Sequence, residues 1–209
     1  MNKSYKILFE GKSAEIVEKK SRFIANLLPV NSEEEAIKYI DQIKKQYWDA
    51  RHNCYAYVIG DNNELQRFSD DGEPGGTAGK PMLEVLLGEE VHNVVVVVTR
   101  YFGGVLLGTG GLVRAYGRTT KAGLEASIIK ERVEGYKVKI DTDYNGIGKI
   151  QYIMSNIGIN IHDEEYTDKV TINITVRLDD YENLIKQVTE ATAGKAVIGE
   201  PKECWFLVD

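Results

Sequence analysis

The sequence predicts an α+β protein of two domains, 1–134 and 135–209. Three observations carry this prediction. A run of five valines, "HNVVVVVTRYF", reads as a buried central strand of a first sheet. After Gly135 the pattern restarts as strand-helix-strand-strand-helix-strand, the split β-α-β order of ferredoxin-like domains. The 209 residues are 43% hydrophobic, enough for two modest cores.

The elements follow in order. "YKILFEGKSAEIVEKKSRFIANLLPV" alternates and breaks at Gly11 and at its lysines, which predicts two or three strands ending near Val30. Asn31 or Ser32 caps a helix over "EEEAIKYIDQIKKQYW", whose first turn is acidic. "NCYAYVIG" is a strand, and the polar, glycine-rich "DNNELQRFSDDGEPGGTAGKP" is expected to be one long loop. "PMLEVLLG" predicts a short helix with Pro81 in its first turn and Gly88 after its end. The valine strand follows, and then "GTGGLVRAYGRTTKAGLEASII" as a helix starting near Thr109. Beyond Gly135, "YKVKIDTDY" is a strand and "NGIGKIQYIMSNIG" a helix closed by Gly158. "INIHDEEYT" and "KVTINITVR" are strands, and "DDYENLIKQVTEATAG" is a helix closed by Gly194. "KAVIGEPKECWFLVD" is one last strand or a pair.

Composition narrows the function classes. The net charge of −6 argues against indiscriminate nucleic-acid binding. Residues 1–134 carry 18 basic and 19 acidic side chains, and residues 135–209 carry 8 and 13. Any anion-binding surface is therefore expected in the first domain. No stretch reaches the ~20 apolar residues of a membrane span, and the charged N-terminus is unlike a signal peptide. Two distant cysteines, Cys54 and Cys204, fit a reducing cytoplasm.

The densest unusual stretch is "TRYFGGVLLGTGG", Thr99–Gly111, with five of the twenty glycines. It lacks the Gly-Lys-Ser/Thr of a phosphate-binding P-loop and the spacing of a dinucleotide fingerprint. Two readings stay open. A helix beginning at Thr109 frees its first amides, and Gly108, Gly110 and Gly111 leave them open to an anion. Alternatively the glycines permit a tight turn and close packing. Arg114, Arg118 and Lys121 fall at i, i+4 and i+7 and share one helix face, with Arg100 at the end of the strand before it. This stripe suits phosphate contacts, or it is a solvated face on which Glu125 pairs with Lys121.

Two further clusters contain residues able to carry chemistry. His52 and Cys54 point to the same side of a strand but sit roughly 6–7 Å apart, beyond the ~2.6–3.2 Å of a nucleophile–base pair. A half-buried cysteine beside a hydrogen-bonded histidine is the plainer reading. Asp70, Asp71 and Glu73 in "SDDGEPGGTAGKPM" could hold a hard cation or serve as turn residues, with Lys80 at the loop's end. Turn chemistry fits better, so no metal, cofactor or catalytic residue is predicted. His52, Asp70, Asp71, Glu73 and Lys80 remain as residues that could line a cleft.

"KKSRFIA", "RHNCYAY", "SDDGEPGGTAGKPML" and "VVVVVTRYFGGVLLGTGGLVRAYG" together resemble the YigZ/IMPACT family, in its bacterial two-domain form, over most of residues 17–120. The resemblance implies a first domain of the ribosomal-protein-type β-α-β fold, shared with domain IV of elongation factor G and the GHMP kinases. It implies a second domain like domain V of that factor. Its best-described eukaryotic member is a regulator of translation, and together with the basic, glycine-rich surface this leads us to expect a cytoplasmic, non-catalytic regulator that binds RNA, the ribosome or a translation factor. The alternatives are a binder of, or enzyme on, a phosphorylated small molecule between the two glycine-rich loops, and a protein–protein adaptor.

Overall fold

The structure, a computed structural model, describes residues 4–208. It forms two compact units that divide between Glu131 and Arg132.

In the first unit, strands β1 (Ser4–Glu10), β2 (Ser13–Glu18) and β3 (Ser21–Pro29) precede helix α1 (Glu33–Gln46). The α1 start follows from its sequence. The Ser32 side chain accepts from the Glu35 amide (3.2 Å), and the Glu35 carboxylate accepts from the Asn31 amide (2.7 Å). These reciprocal bonds satisfy two donors at the helix start. Strands β4 (His52–Ile59) and β5 (Leu65–Ser69), helix α2 (Gly79–Gly88), strands β6 (Val91–His92) and β7 (Val94–Tyr101) and helix α3 (Thr109–Ala126) complete the unit. A five-stranded sheet runs in the order β2-β3-β7-β4-β5, antiparallel at every pairing.

The valines of β7 explain the layers. Val94, Val96 and Val98 face the core made with α2 and α3, alongside Phe23, Cys54, Met82 and Tyr116. Val95 and Val97 face the other core, with Ala36, Ile40 and Ile43 of α1. A strand buried on both faces has no polar face to display, hence the unbroken run.

Three expectations are corrected. The stretch read as one long loop contains β5, an edge strand whose Arg67 and Phe68 are exposed, so its apolar alternation is weak. Gly88 is the last residue of α2, and Glu89 follows as its cap. Helix α3 ends at Ala126, three residues short of Ile129. Strand β8 (Ile128–Thr142) follows, and the chain passes from the first unit to the second within it.

The second unit follows its predicted order: β8, α4 (Ile147–Ile157), β9 (Ile161–Tyr166), β10 (Val170–Arg177), α5 (Leu178–Ala191), β11 (Val197–Ile198) and β12 (Lys202–Val208). β10 lies between β8 and β9, and β11 pairs with β8, all antiparallel. The order β9-β10-β8-β11 is that of a ferredoxin-like sheet. Its core joins Val138, Ile140, Ile172 and Ile174 to Ile150 and Met154 of α4 and Leu184 of α5. Gly158 ends α4 at φ 70°, the left-handed cap that glycine adopts without strain.

Candidate functional site

The acidic loop after β5 folds upon itself. Asp70 accepts from the amides of Gly76 (2.8 Å), Ala78 (2.9 Å) and Gly79 (2.8 Å), and so caps α2, whose own Ala78 has no side chain able to do so. Asp71 accepts from the Asn53 amide (2.7 Å) and from Lys44 (2.9 Å), and its carbonyl faces His52 Nδ1 at 2.9 Å. Glu73 turns inward and accepts from Arg100 (2.6 Å) and the Tyr116 hydroxyl (2.8 Å). The side chains of Arg100 and Glu73 are 8% and 4% exposed. The Arg100 guanidinium also lies over the rings of Phe23 and Phe102, 5.4 and 5.6 Å from their centroids.

These placements decide several assignments. The three carboxylates point to backbone amides and bases of the same unit, and among the described residues no group of three or more His, Cys, Asp or Glu is set to hold a metal ion. Arg100 is buried and neutralised by Glu73, so it does not belong to an outer anion-binding face. Lys80 is exposed, 4.0 Å from Glu84 on its own helix. His52 is the register partner of Arg100 across β4 and β7. Tyr116, which ties Glu73 to α3, had no signal in the sequence beyond being an aromatic on an apolar helix face.

Cys54 is buried. Its thiol donates to the Asp70 carbonyl (3.0 Å) and lies 3.4 Å from the Tyr116 hydroxyl. Burial pushes this thiol far above its ordinary range, partly offset by the Tyr116 hydroxyl and reinforced by Glu73, Asp71 and Asp70. A thiolate nucleophile is therefore disfavoured here. In the unfolded chain the thiol ionises near ~8.5, while in the fold it stays protonated. The unfolded state thus loses protons first, and stability falls as pH rises through that value. Urea titrations at pH 7.5 and 9.5 should show a loss of about 1 kcal/mol that Cys54→Ala reduces.

The start of α3 presents a different chemistry. The amides of Thr109, Gly110 and Gly111 precede the first intrahelical bond, from Leu112 N–H to the Gly108 carbonyl (3.0 Å), and no side chain caps the helix. Gly108 holds φ 72°, and a Cβ there or at Gly110 would meet no backbone. Gly103 serves the other purpose: a Cβ on it would lie 2.0 Å from the Lys20 carbonyl carbon and 2.3 Å from the Ser21 nitrogen. Close packing thus accounts for Gly103, while Gly108 and Gly110 leave the helix start sterically open.

Beside the helix start lies a cavity of about 170 Å³, lined in part by Glu18, Lys19, Gly111, Arg114 and Arg118. Lys19 and Lys20 form the two-residue turn between β2 and β3, at φ 45° and 67°, where asparagine and glycine are the usual occupants. Arg118 pairs with Glu18 at 3.4 Å, and Lys121 pairs with Glu89 at 2.8 Å rather than with Glu125. The Lys121 hydrogen bond holds the Glu89 carboxyl below its usual range. Arg114 is exposed and has no ion-pair partner among the described residues. The structure thus brings Gly111, Arg114 and Arg118 to one cavity, leaves Gly108, Thr109 and Gly110 at the helix start, and adds Lys19 to the lining. That lysine was missed because its turn is 95 residues away from Arg114 in sequence, although "EKKS" between two strands marks the turn itself.

The fold and this cavity define a two-unit α+β protein whose first unit presents a cation-lined, open helix start. Residues 19–124 match the Impact N-terminal domain, and residues 140–195 match a domain of unknown function, DUF1949. The chain belongs to the IMPACT family. It is 43% identical to IMPACT family member YvyE of Bacillus subtilis over 94% of this chain and 91% of that one. It is 37% identical to IMPACT family member YigZ of Escherichia coli, over 76% and 78% of the two chains. Protein IMPACT-A of Xenopus tropicalis matches 44% of this chain at 38% identity, and 30% of its own length is covered. A crystal structure described as that of a hypothetical protein is 31% identical, with a TM-score of 0.60 over 95% of this chain and 97% of that one. No helix among the described residues is long and apolar enough to cross a membrane.

Proposed function

We propose that this protein is a non-catalytic, translation-related regulator that grips RNA phosphates, alone or within the ribosome, at the start of α3. The observation that carries the reading is the cavity between the Lys19–Lys20 turn and α3, where Arg114 stands unpaired beside open helix amides. A helix start favours an anion by its dipole and its free N–H groups. The size of the cavity selects among anions. About 170 Å³ accommodates one phosphoryl group, whereas pockets for whole small-molecule ligands run to ~300–1,000 Å³. A phosphate of a longer chain fits better than an enclosed nucleotide. The acidic loop offers no second wall for a ligand cleft, since Asp70, Asp71 and Glu73 are engaged with their own unit.

Binding of purified ribosomes and of labelled RNA at 50 and 200 mM salt tests the proposal. Affinity should fall steeply between the two, as phosphate contacts release counterions. The double variant Arg114→Glu, Arg118→Glu should weaken binding by at least about a hundredfold, since each lost contact becomes a repulsion. If the variant binds as well as the parent, the basic stripe is a solvated face and the proposal fails.

A further inference from the structure

A phosphate site alone treats single and double strands alike, yet the segment joining β7 to α3 is not built for a duplex backbone. Phe102, Val105 and Leu106 are 50%, 41% and 82% exposed. They are consecutive with the polar, glycine-bounded start of α3, and Val113 beside Arg114 is exposed as well. Phosphates and riboses offer such side chains nothing, whereas the face of an unpaired base does.

The parts adjoin one another. The Gly103 amide donates to Ser21 Oγ (3.1 Å), and Gly103 packs so closely on Lys20 and Ser21 that no Cβ fits. Phe102 is thereby fixed next to the turn whose other lysine, Lys19, lines the cavity with Arg114. The Phe102 ring is also backed: the buried Arg100 guanidinium lies 5.6 Å from its centroid. A ring held from behind by a cation, with half its surface open, is a ready stacking platform.

Resting on the RNA-binding reading above, we infer that this surface recognises single-stranded RNA. The α3 cavity takes a backbone phosphate, and Phe102 with Leu106 takes the neighbouring unpaired base. An exposed apolar segment leads directly into a helix start lined by Lys19 and Arg114, and this pairing of apolar surface with unneutralised positive charge suits a strand of bases and phosphates better than a protein partner.

Fluorescence anisotropy with a labelled 12-nucleotide oligouridine, and with the same oligonucleotide annealed to its complement, tests this at 50 mM salt. The single strand is expected to bind at least about tenfold tighter. Phe102→Ala and, separately, Leu106→Ser should each reduce that affinity about five- to tenfold while leaving the salt dependence unchanged. Arg114→Gln should instead lower the salt slope by about 0.7. Phe102→Leu, which keeps bulk without an aromatic face, should behave as Phe102→Ala, and a single cooperative melt well above the assay temperature for all four variants establishes that each is folded. Equal binding of duplex and single strand overturns the inference and leaves the phosphate-binding proposal standing. So does unchanged affinity in the Phe102 and Leu106 variants, or a protein whose capture needs Phe102 when RNA binding does not. No RNA binding by the parent at 50 mM salt overturns both.

Discussion

Glu73→Ala is expected to destabilise the first unit by about 3–5 kcal/mol, the cost of leaving a buried charge without its partner. Removing the carboxylate strips Arg100 of its buried ion pair and leaves the Tyr116 hydroxyl without its acceptor. The aromatic faces of Phe23 and Phe102 remain, but cation–π contacts recover only about 1–2 kcal/mol. Glu73→Gln keeps an acceptor for both donors and should lose clearly less. The unit can be followed by itself. Trp48 lies in the first unit and Trp205 in the second, so urea unfolding of a Trp205→Phe background, read by Trp48 fluorescence, reports on the first alone. A loss below about 1 kcal/mol would mean that Arg100 finds water or another acceptor, and that the pair is not what pins the acidic loop to the sheet.

Gly103→Ala carries the second large effect. An added methyl meets backbone atoms of Lys20 and Ser21 at 2.0–2.3 Å, and no side chain is there to swing aside. Overpacking in a tight core costs about 1–3 kcal/mol, and a backbone-on-backbone clash belongs at the upper end. Because Lys20 adjoins Lys19, the same change should open the cavity and weaken RNA binding, although residue 103 does not line it. Gly110→Ala offers the contrast. Its Cβ would meet only the end of the Arg114 side chain, at 3.6 Å, so stability should hold. Thermal melts and RNA titrations of the two variants side by side check the pair. Equal melting temperatures for both would overturn the close-packing account of Gly103.

Much of the fold was legible because local rules and tertiary demand agreed. Ser32 with Glu35 announces the start of α1, Gly158 announces the end of α4, and alternation in "KVTINITVR" marks β10. β5 was hidden because an edge strand exposes much of its surface and tolerates polar residues on both faces. The candidate site was half legible. Arg114 and Arg118 follow from helical spacing, and the open Gly110 from the glycine cluster at the start of α3. Lys19 does not, since it arrives through the pairing of β2 with β3 and the packing of Gly103. The carboxylates of the acidic loop were ambiguous for another reason. A side chain that accepts from amides six to nine residues onward, as Asp70 does, has the same composition as one that waits for a cation. Only the closed loop tells them apart.

The valine run of β7 carries one more consequence. In an ordinary strand a slip of one residue exchanges the inner and outer faces, and the mismatch in polarity forbids it. Along Val94–Val98 such a slip replaces valine by valine on both sides, so the run contains almost no alignment information. That information has to come from its end. Thr99, which donates to Asn53 Oδ1 at 2.7 Å, and Arg100, which reaches Glu73, each have one specific partner. The buried polar residues that look costly in an apolar layer are thus the marks by which the central strand finds its place.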